Sequence, residues 1–429
     1  MSRKNLVKNV FVNMASFCSF LVIPAIRIPF DPNAHHDGLM YASAIASAEG
    51  LIPHRDFFNQ YGLVTSEIQG LWLKFFGYEL INLRLLTALV LALTSTILYS
   101  LLRNVIPTKT AYLVCLLWIV SSPDFLPANL PWPTTLSTLL LLTSVWFCKL
   151  PKQNLFWFAS GFLLGLSIFV RQHNILIFIL LGFYHFYMSR RTKQFLFNSY
   201  GTLLFGSLTA FVSIILFLFF NEAFKSMVDQ TIIWPLAGHA GTSFNIKDVI
   251  VNLLLTIQFP FCAFLVWRYS NIHIFRKAPG HILISTIFIS LAFIGSKMSS
   301  FSAAEKSFLN VNYLISYFAH NSLYILPMSI VGFFVITFLR FSRFLAQMDF
   351  TQAFRVLLGI AGLVQLYPSP DLYHVWWITP LLLIAIVSLP LHKKFSLAMF
   401  SFAITPLLII TIVLNMVAVA IDRKSTRLN

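Results

Sequence analysis

The sequence predicts an all-α polytopic membrane protein with about 13 transmembrane helices, in a range of 11 to 13. Two features of the composition carry this prediction: 58% of the residues are hydrophobic, and the mean hydropathy is +0.79. Soluble domains contain only about 45 to 50% apolar residues. In addition, apolar runs close to the roughly 20 residues that cross a bilayer recur along the whole chain. These observations exclude an ordinary soluble enzyme.

Each predicted span is an apolar run bounded by polar or basic residues. The runs lie near 10–26, 81–102, 110–121, 134–148, 155–170, 175–189, 199–220, 249–267, 281–296, 323–339, 353–367, 376–391 and 395–420. Lys or Arg occurs in every loop on one predicted side, which places the N-terminus in the cytoplasm. Because the net charge of +16 is divided among these loops, nucleic acid is not an expected partner.

Residues 1–421 are expected to form a single transmembrane domain. The terminal residues DRKSTRLN match the translation of a common sequencing adapter, so 422–429 are interpreted as an artefact that truncates the native C-terminus. Whether a soluble outer domain follows in the native protein is left open. The four cysteines lie in or beside apolar runs without CxxC spacing, and therefore predict neither a disulfide framework nor a zinc site.

The first predicted outer loop, 27–80, is long and carries a group of polar residues. Two short amphipathic helices are predicted in it, over 39–48 and 63–76, and Trp72, Phe75 and Phe76 suit the membrane interface. The alternation of spans places further polar segments on the same face as this loop: 171–174, 221–248, 297–322 and the SPDLYH segment. Such a one-sided distribution favours an active site at the outer surface.

Two carboxylates of the first loop are candidates for catalysis. Asp37, next to Gly38, is either a helix cap or a general base. Asp56 either pairs with Arg55, caps the loop, or acts as a second catalytic acid. The two acids could share a divalent cation such as Mg²⁺ or Mn²⁺ with nearby histidines, but HHDG lacks the spacing of a metal motif. No metal ligand is therefore assigned.

Two later polar segments could bind a phosphate or a substrate. RQHN, Arg171 to Asn174, predicts a hairpin tip between two spans, where Arg171 either reaches the interface or clamps phosphate oxygens. YPSPDLYH contains Asp371 and His374 at i, i+3 spacing, which fits one helical face. No Walker A, GxSxG or HExxH motif is present, so nucleotide-dependent and serine or zinc hydrolase chemistry are poorly supported.

The first fifth of the chain resembles the GT-C membrane glycosyltransferases, in the bacterial branch of protein mannosyltransferases and aminoarabinose transferases. GLSIFVRQHNILIF and PDLYH resemble later elements of that family. Where members often have D-E or D-x-D, this chain has D-G, which leaves the role of Asp56 open. The matching first-loop residues are Asp37, Gly38, Tyr41, Ala44, Gly50, Arg55, Asp56, Phe57, Tyr61, Gly62, Gly77 and Arg84.

The resemblance implies transfer of a sugar from a polyprenyl-phosphate donor to a hydroxyl of a lipid, glycan or protein acceptor. It implies Asp37 as the catalytic base, with Asp56 as its candidate partner, and donor-phosphate contacts by Arg171, Gln172 and His173. Expected substrate contacts are His36, Arg55, Tyr61, Asp371 and His374. The expected location is the outer face of a bacterial plasma membrane, in contact with its lipids. The alternatives are a transporter or flippase, and a polymerase or ligase, of lipid-linked saccharides.

Overall fold

The computed structural model describes residues 3–29, 35–120, 129–150, 154–192, 197–236, 348–365 and 372–388, and the regular secondary structure of these ranges is helical, with no β-strand. Three of the helices are long and apolar enough to cross a membrane, over Val10–Arg27, Leu80–Leu102 and Tyr200–Phe220. The helices are α1 (Arg3–Arg27), α2 (His36–Ala48), α3 (Leu63–Phe76), α4 (Leu80–Leu102), α5 (Thr108–Val120), α6 (Pro133–Cys148), α7 (Asn154–Ile168), α8 (Ile175–Thr192), α9 (Phe197–Phe220), α10 (Phe224–Val228), α11 (Trp234–Leu236), α12 (Phe350–Val364) and α13 (Leu372–Ser388).

The predicted helical class is confirmed for these ranges. Helices α1, α4 to α9, α12 and α13 coincide with predicted spans, and α2 and α3 with the two helices of the first outer loop. The predicted spans near 249–267, 281–296, 323–339 and 395–420 lie outside the described residues, as does the polar segment 297–322. The number of about 13 spans therefore stays a prediction.

Helices α7 and α9 are packed through small residues. A Cβ on Gly161 would lie 1.8 Å from the carbonyl oxygen of Leu203, and one on Gly206 would lie 2.2 Å from that of Phe158. Close backbone approach through glycine is typical of helix pairs in membranes, where contact and interhelical hydrogen bonds hold helices together. The Ser207 hydroxyl adds such a bond by donating to the Gly161 carbonyl at 2.9 Å. Substitution of Gly161 or Gly206 would separate the two backbones.

Helix α13 is joined to α5 by a pair of tryptophans. The indole N–H of Trp118 donates to the carbonyl of Trp376 at 2.9 Å, and that of Trp376 donates to the carbonyl of Trp118 at 2.6 Å. Their rings are stacked at 5.0 Å. The Thr138 hydroxyl of α6 donates to the Trp377 carbonyl at 3.2 Å. These bonds bring the first turns of α13 beside α5 and α6.

The start of α3 lies against the end of α7. A Cβ on Gly62 would lie 1.8 Å from the Phe169 carbonyl oxygen, which accepts a hydrogen bond from the Val64 N–H at 3.2 Å. Only glycine fits at this distance, so Gly62 lets the first loop approach the α7–α8 turn. Helix α2 covers α3 at Gly70, where a Cβ would meet the backbone of Ala48 at 2.8 Å. The first loop is thereby fixed beside Arg171.

Candidate active site

Trp132 contacts residues of the first loop and a residue that follows the SPDLYH segment. It is the residue before α6, whose first position is Pro133, where proline needs no backbone N–H. Its ring lies 4.7 Å from that of His36, 5.2 Å from Tyr61 and 6.3 Å from Trp377, with the last pair nearly parallel. We call these four side chains the Trp132 cluster. His36 and Tyr61 of the first loop therefore meet the start of α13 around Trp132.

Arg171 extends the Trp132 cluster with a buried cation. Its guanidinium carbon lies 5.0 Å from the centre of the Tyr61 ring, a cation–π contact. The Arg171 N–H donates to Ser167 and its carbonyl accepts from the Asn174 N–H, both at 3.0 Å. The Asn174 amide donates to the Ser137 hydroxyl at 2.8 Å. RQHN thus forms the predicted turn between helices, with Arg171 buried against Tyr61 and not extended to the surface.

Gln172 and His173 form a short 3₁₀ turn with Asn174 before α8. Burial, followed by the positive charge of Arg171 and the ring of His374, lowers the pKa of His173 to about 3, so the imidazole is neutral at pH 7. Within the described ranges, the buried Nε2 atoms of Gln172 and His173 have no hydrogen-bond partner. Both side chains can therefore bind a ligand through neutral hydrogen bonds.

His374 approaches the same region from the first turn of α13. Its ring lies 5.4 Å from the Trp377 ring of the Trp132 cluster, in an edge-to-face arrangement. Asp371 lies outside the described residues, so the predicted i, i+3 pairing with His374 stays a prediction. The structure therefore brings together His36, Tyr61, Arg171, His173 and His374 from three parts of the chain.

Asp37 lies in the first turn of α2 and is 1% exposed. The cap position of α2 is occupied by His35, whose side chain makes no capping hydrogen bond, and not by Asp37. Its carboxylate instead pairs with Arg84 of α4, at 3.1 Å between Oδ2 and Nη2 and 3.4 Å between Oδ1 and Nε. Arg84 also donates to the Ile28 carbonyl at 2.8 Å. This ion pair fixes the carboxylate next to His36.

Asp56 has partners different from those of Asp37. Arg55 binds it through two contacts of 2.9 Å, and its Oδ2 also accepts the Ile52 N–H at 2.8 Å. The bond from Arg55 and then that from the Ile52 N–H lower the pKa of Asp56. These contacts match the predicted ion pair and loop cap. Among the residues that the structure describes, no three His, Cys, Asp or Glu side chains form a group that could hold a metal ion.

Gln230 is a residue that the sequence does not single out, and it holds the middle of the first loop. Its Oε1 accepts the Asn59 N–H and bonds the His54 Nδ1, both at 3.0 Å, and its Nε2 donates to the His54 carbonyl at 3.1 Å. Gln230 lies in a π-helical turn, Asp229–Ile233, a geometry that is frequent at functional sites. The Asn59 side chain in turn accepts the Tyr61 N–H at 3.3 Å. Gln230 thus supports the loop that carries Tyr61.

Comparisons with known proteins identify no relative of this chain. No protein-family model matches the sequence, and the searches of curated proteins and of solved structures gave no significant match. The chemistry of the site is therefore inferred from its own side chains.

Proposed function

We propose that the chain is a membrane glycosyltransferase that moves a sugar from a polyprenyl-phosphate donor to an acceptor hydroxyl on the outer face of the membrane. The acceptor is a lipid, a glycan or a protein. The observation that carries the proposal is the position of Arg171, a buried guanidinium in contact with Tyr61 and thereby beside the Trp132 cluster. A phosphate group and an adjoining sugar ring need these two environments side by side.

Arg171 suits the phosphate of the donor. A guanidinium stays charged and binds phosphate oxygens in a planar, two-pronged geometry. As the bond between the sugar and the phosphate breaks, negative charge grows on the phosphate, and a fixed cation stabilises it most strongly in the transition state. Gln172 and His173 would add neutral hydrogen bonds, since their buried Nε2 atoms lack partners in the described part of the chain.

The aromatic side chains suit the sugar. A sugar ring has an apolar C–H face and a rim of hydroxyl groups, and ligand sites combine aromatic walls with a few placed polar groups in this way. Tyr61, Trp132 and Trp377 provide such walls, with His36 and His374 at their edges. Arg55 faces Asp56 and Asn221 and is assigned to loop structure.

Asp37 is the proposed base. It would take the proton of the acceptor hydroxyl while that oxygen attacks the anomeric carbon and the phosphate leaves with the electron pair of the broken bond. Inversion at the anomeric carbon is expected. Arg84 would orient the carboxylate, since both of its oxygens face that guanidinium. Asp37 is buried in this structure, so an acceptor must displace part of its surroundings to reach it.

The test is a transfer assay in membrane vesicles containing the protein. Polyprenyl-phosphate hexoses, pentoses and aminosugars are supplied in turn, and lipid and protein products are identified by mass spectrometry. Arg171→Gln should lose more than about a hundredfold in rate, as expected for a group that stabilises transition-state charge. Arg190→Gln is the matched control, because Arg190 also lies over an aromatic ring, that of Phe186 at 4.3 Å, but belongs to the far end of α8.

A folded wild-type protein that transfers no sugar from any donor would overturn the proposal. Movement of an intact lipid-linked saccharide across the vesicle membrane, without transfer, would support a transporter instead.

A further inference from the structure

Several buried oxygen atoms have no hydrogen-bond partner in the part of the chain that the structure describes, and three of them lie on α3 and the first turn of α6. They are Thr65 Oγ1, Gln69 Oε1 and Thr134 Oγ1, on residues that are 3%, 5% and 0% exposed. Buried polar atoms in proteins are nearly always hydrogen-bonded, because leaving one without a partner forfeits its solvation. Three such atoms in one region require an explanation.

The three oxygens belong to α3 and to the first turn of α6, and the Gln69 side chain joins these two parts of the chain. Thr65 and Gln69 are one turn apart and share a face of α3. The Gln69 Nε2 donates to the carbonyl of Pro131 at 2.8 Å, which places this face against the residue before Trp132. Thr134 follows in the first turn of α6. In addition, Leu63 and Val64 at the start of α3 belong to the same buried hydrophobic cluster as Leu136 and Leu140 of α6.

We propose that Thr65, Gln69 and Thr134 form a subsite for the hydroxyl groups of a sugar, which rests on the proposed function and names its substrate class. The Gln69 Oε1 only accepts hydrogen bonds, whereas a threonine hydroxyl both donates and accepts. A sugar hydroxyl also does both, and so it satisfies each of these atoms. Neutral oxygens beside an aromatic ring select a neutral ring that is rich in hydroxyl groups.

Adjacent threonines provide the test. Thr134→Val and Thr65→Val remove a hydroxyl without changing the shape of the side chain. Thr135→Val is the matched control, because the Thr135 hydroxyl donates to the Trp132 carbonyl at 2.7 Å. Without ligand, the thermal unfolding midpoint of the first two variants should equal or exceed that of wild type, since no bond is lost. That of Thr135→Val should fall.

The transfer activity of the Thr134 and Thr65 variants should fall, although their unfolding midpoints do not. Thr134→Val and Thr65→Val are each expected to lower kcat/KM about fivefold, which corresponds to roughly 1 kcal/mol for one hydrogen bond. With the wild-type protein, a deoxy sugar that lacks the recognised hydroxyl should lower kcat/KM by the same factor. With the threonine variant, the deoxy sugar should lower kcat/KM no further. A change in the KM of the donor assigns the hydroxyl to the transferred sugar, and a change in the KM of the acceptor assigns it to a glycan acceptor.

Methyl glycosides distinguish a failure of the subsite from a failure of the proposed function. They should raise the unfolding midpoint of wild type, and this rise should shrink in Thr134→Val. If they do so while no sugar is transferred, the subsite stands and the proposed function fails. The subsite is overturned if Thr134→Val destabilises the free protein as Thr135→Val does. It is also overturned if wild type neither binds a glycoside nor transfers a sugar, or if both threonine variants bind and react like wild type.

Discussion

Replacing Asp37 by Asn tests the ion pair and the proposed base together. The Asp37 and Arg84 side chains are 1% and 3% exposed, so the substitution leaves a buried guanidinium without its opposite charge. Removing one partner of such a pair costs about 3 to 5 kcal/mol, whereas an exposed pair is worth at most about 1 kcal/mol. The bond from Arg84 to the Ile28 carbonyl remains in the variant and compensates only in part. We therefore expect about 3 kcal/mol of destabilisation.

The double variant Asp37→Asn, Arg84→Gln separates structure from catalysis. It removes both charges and leaves two amides that can hydrogen-bond, so most of the stability should return, to within about 1 to 2 kcal/mol of wild type. Transfer should not return, because an asparagine cannot take a proton, and loss of a general base lowers the rate by about 10² to 10⁴. The assays are thermal unfolding in detergent and sugar transfer in vesicles.

Arg84→Gln alone is the matched control, since it breaks the same pair but keeps the carboxylate. Its folded fraction should transfer sugar faster than that of Asp37→Asn. Recovery of transfer in the double variant would refute the base assignment and leave Asp37 a structural role. A loss of less than about 1 kcal/mol in Asp37→Asn would refute the energetic argument, because it would mean that the pair is solvated.

Three further predictions concern the first loop and the α7–α8 turn. Gln230→Leu should speed hydrogen exchange at the backbone amide of Asn59, because the Gln230 side chain accepts a hydrogen bond from that amide. Thr231→Val should not, because the Thr231 hydroxyl donates to the Met227 carbonyl inside the same segment. Equal exchange rates in the two variants would contradict the role of Gln230. Burial lowers the pKa of His54 to about 4 and that of His173 to about 3, so the unfolded chain, with a histidine pKa near 6.5, binds more protons. The stabilising effect of these two groups should therefore be complete above pH 6.5 and should be lost as the pH drops toward 3. In His173→Gln, the unfolding midpoint should fall less steeply over this pH range. An unchanged slope would show that His173 is solvated. Asp56→Asn should change the transfer rate by no more than about twofold, because its pair with Arg55 is exposed, and a loss comparable to that of Asp37→Asn would give Asp56 a catalytic role.

Local features of the fold follow from the sequence because they depend on neighbouring residues. The predicted helices over 39–48 and 63–76 end at Ala48 and Phe76 in the structure, and the glycines that follow these ends, Gly50 and Gly77, have positive φ. The interruption of an apolar stretch by RQHN likewise predicts the turn that separates α7 from α8. Periodicity and turn residues are enough for such features.

Contacts between distant segments could not be predicted from the same patterns. Asp37 is the first-turn acid that a helix dipole favours, and nothing local indicates that Arg84 would take its carboxylate. Gln230 lies more than a hundred residues from the loop that it holds, in a turn whose π-helical geometry has no sequence signal. Trp132 could have been noticed as an aromatic residue directly before a helix-starting proline, but its contacts with three other rings depend on tertiary packing.

The two reciprocal bonds between Trp118 and Trp376 also have a consequence for the biogenesis of the protein. The two residues are 258 positions apart, and chains are synthesised at about 5 to 20 residues per second, so roughly 13 to 50 s separate their emergence from the ribosome. During this interval α5 lacks the partner that later covers its indole. The Trp132 cluster also waits for Trp377 on the same helix. Completion of the Trp132 cluster is therefore a late event, and a nascent chain stalled before α13 would hold His36, Tyr61 and Trp132 without Trp377.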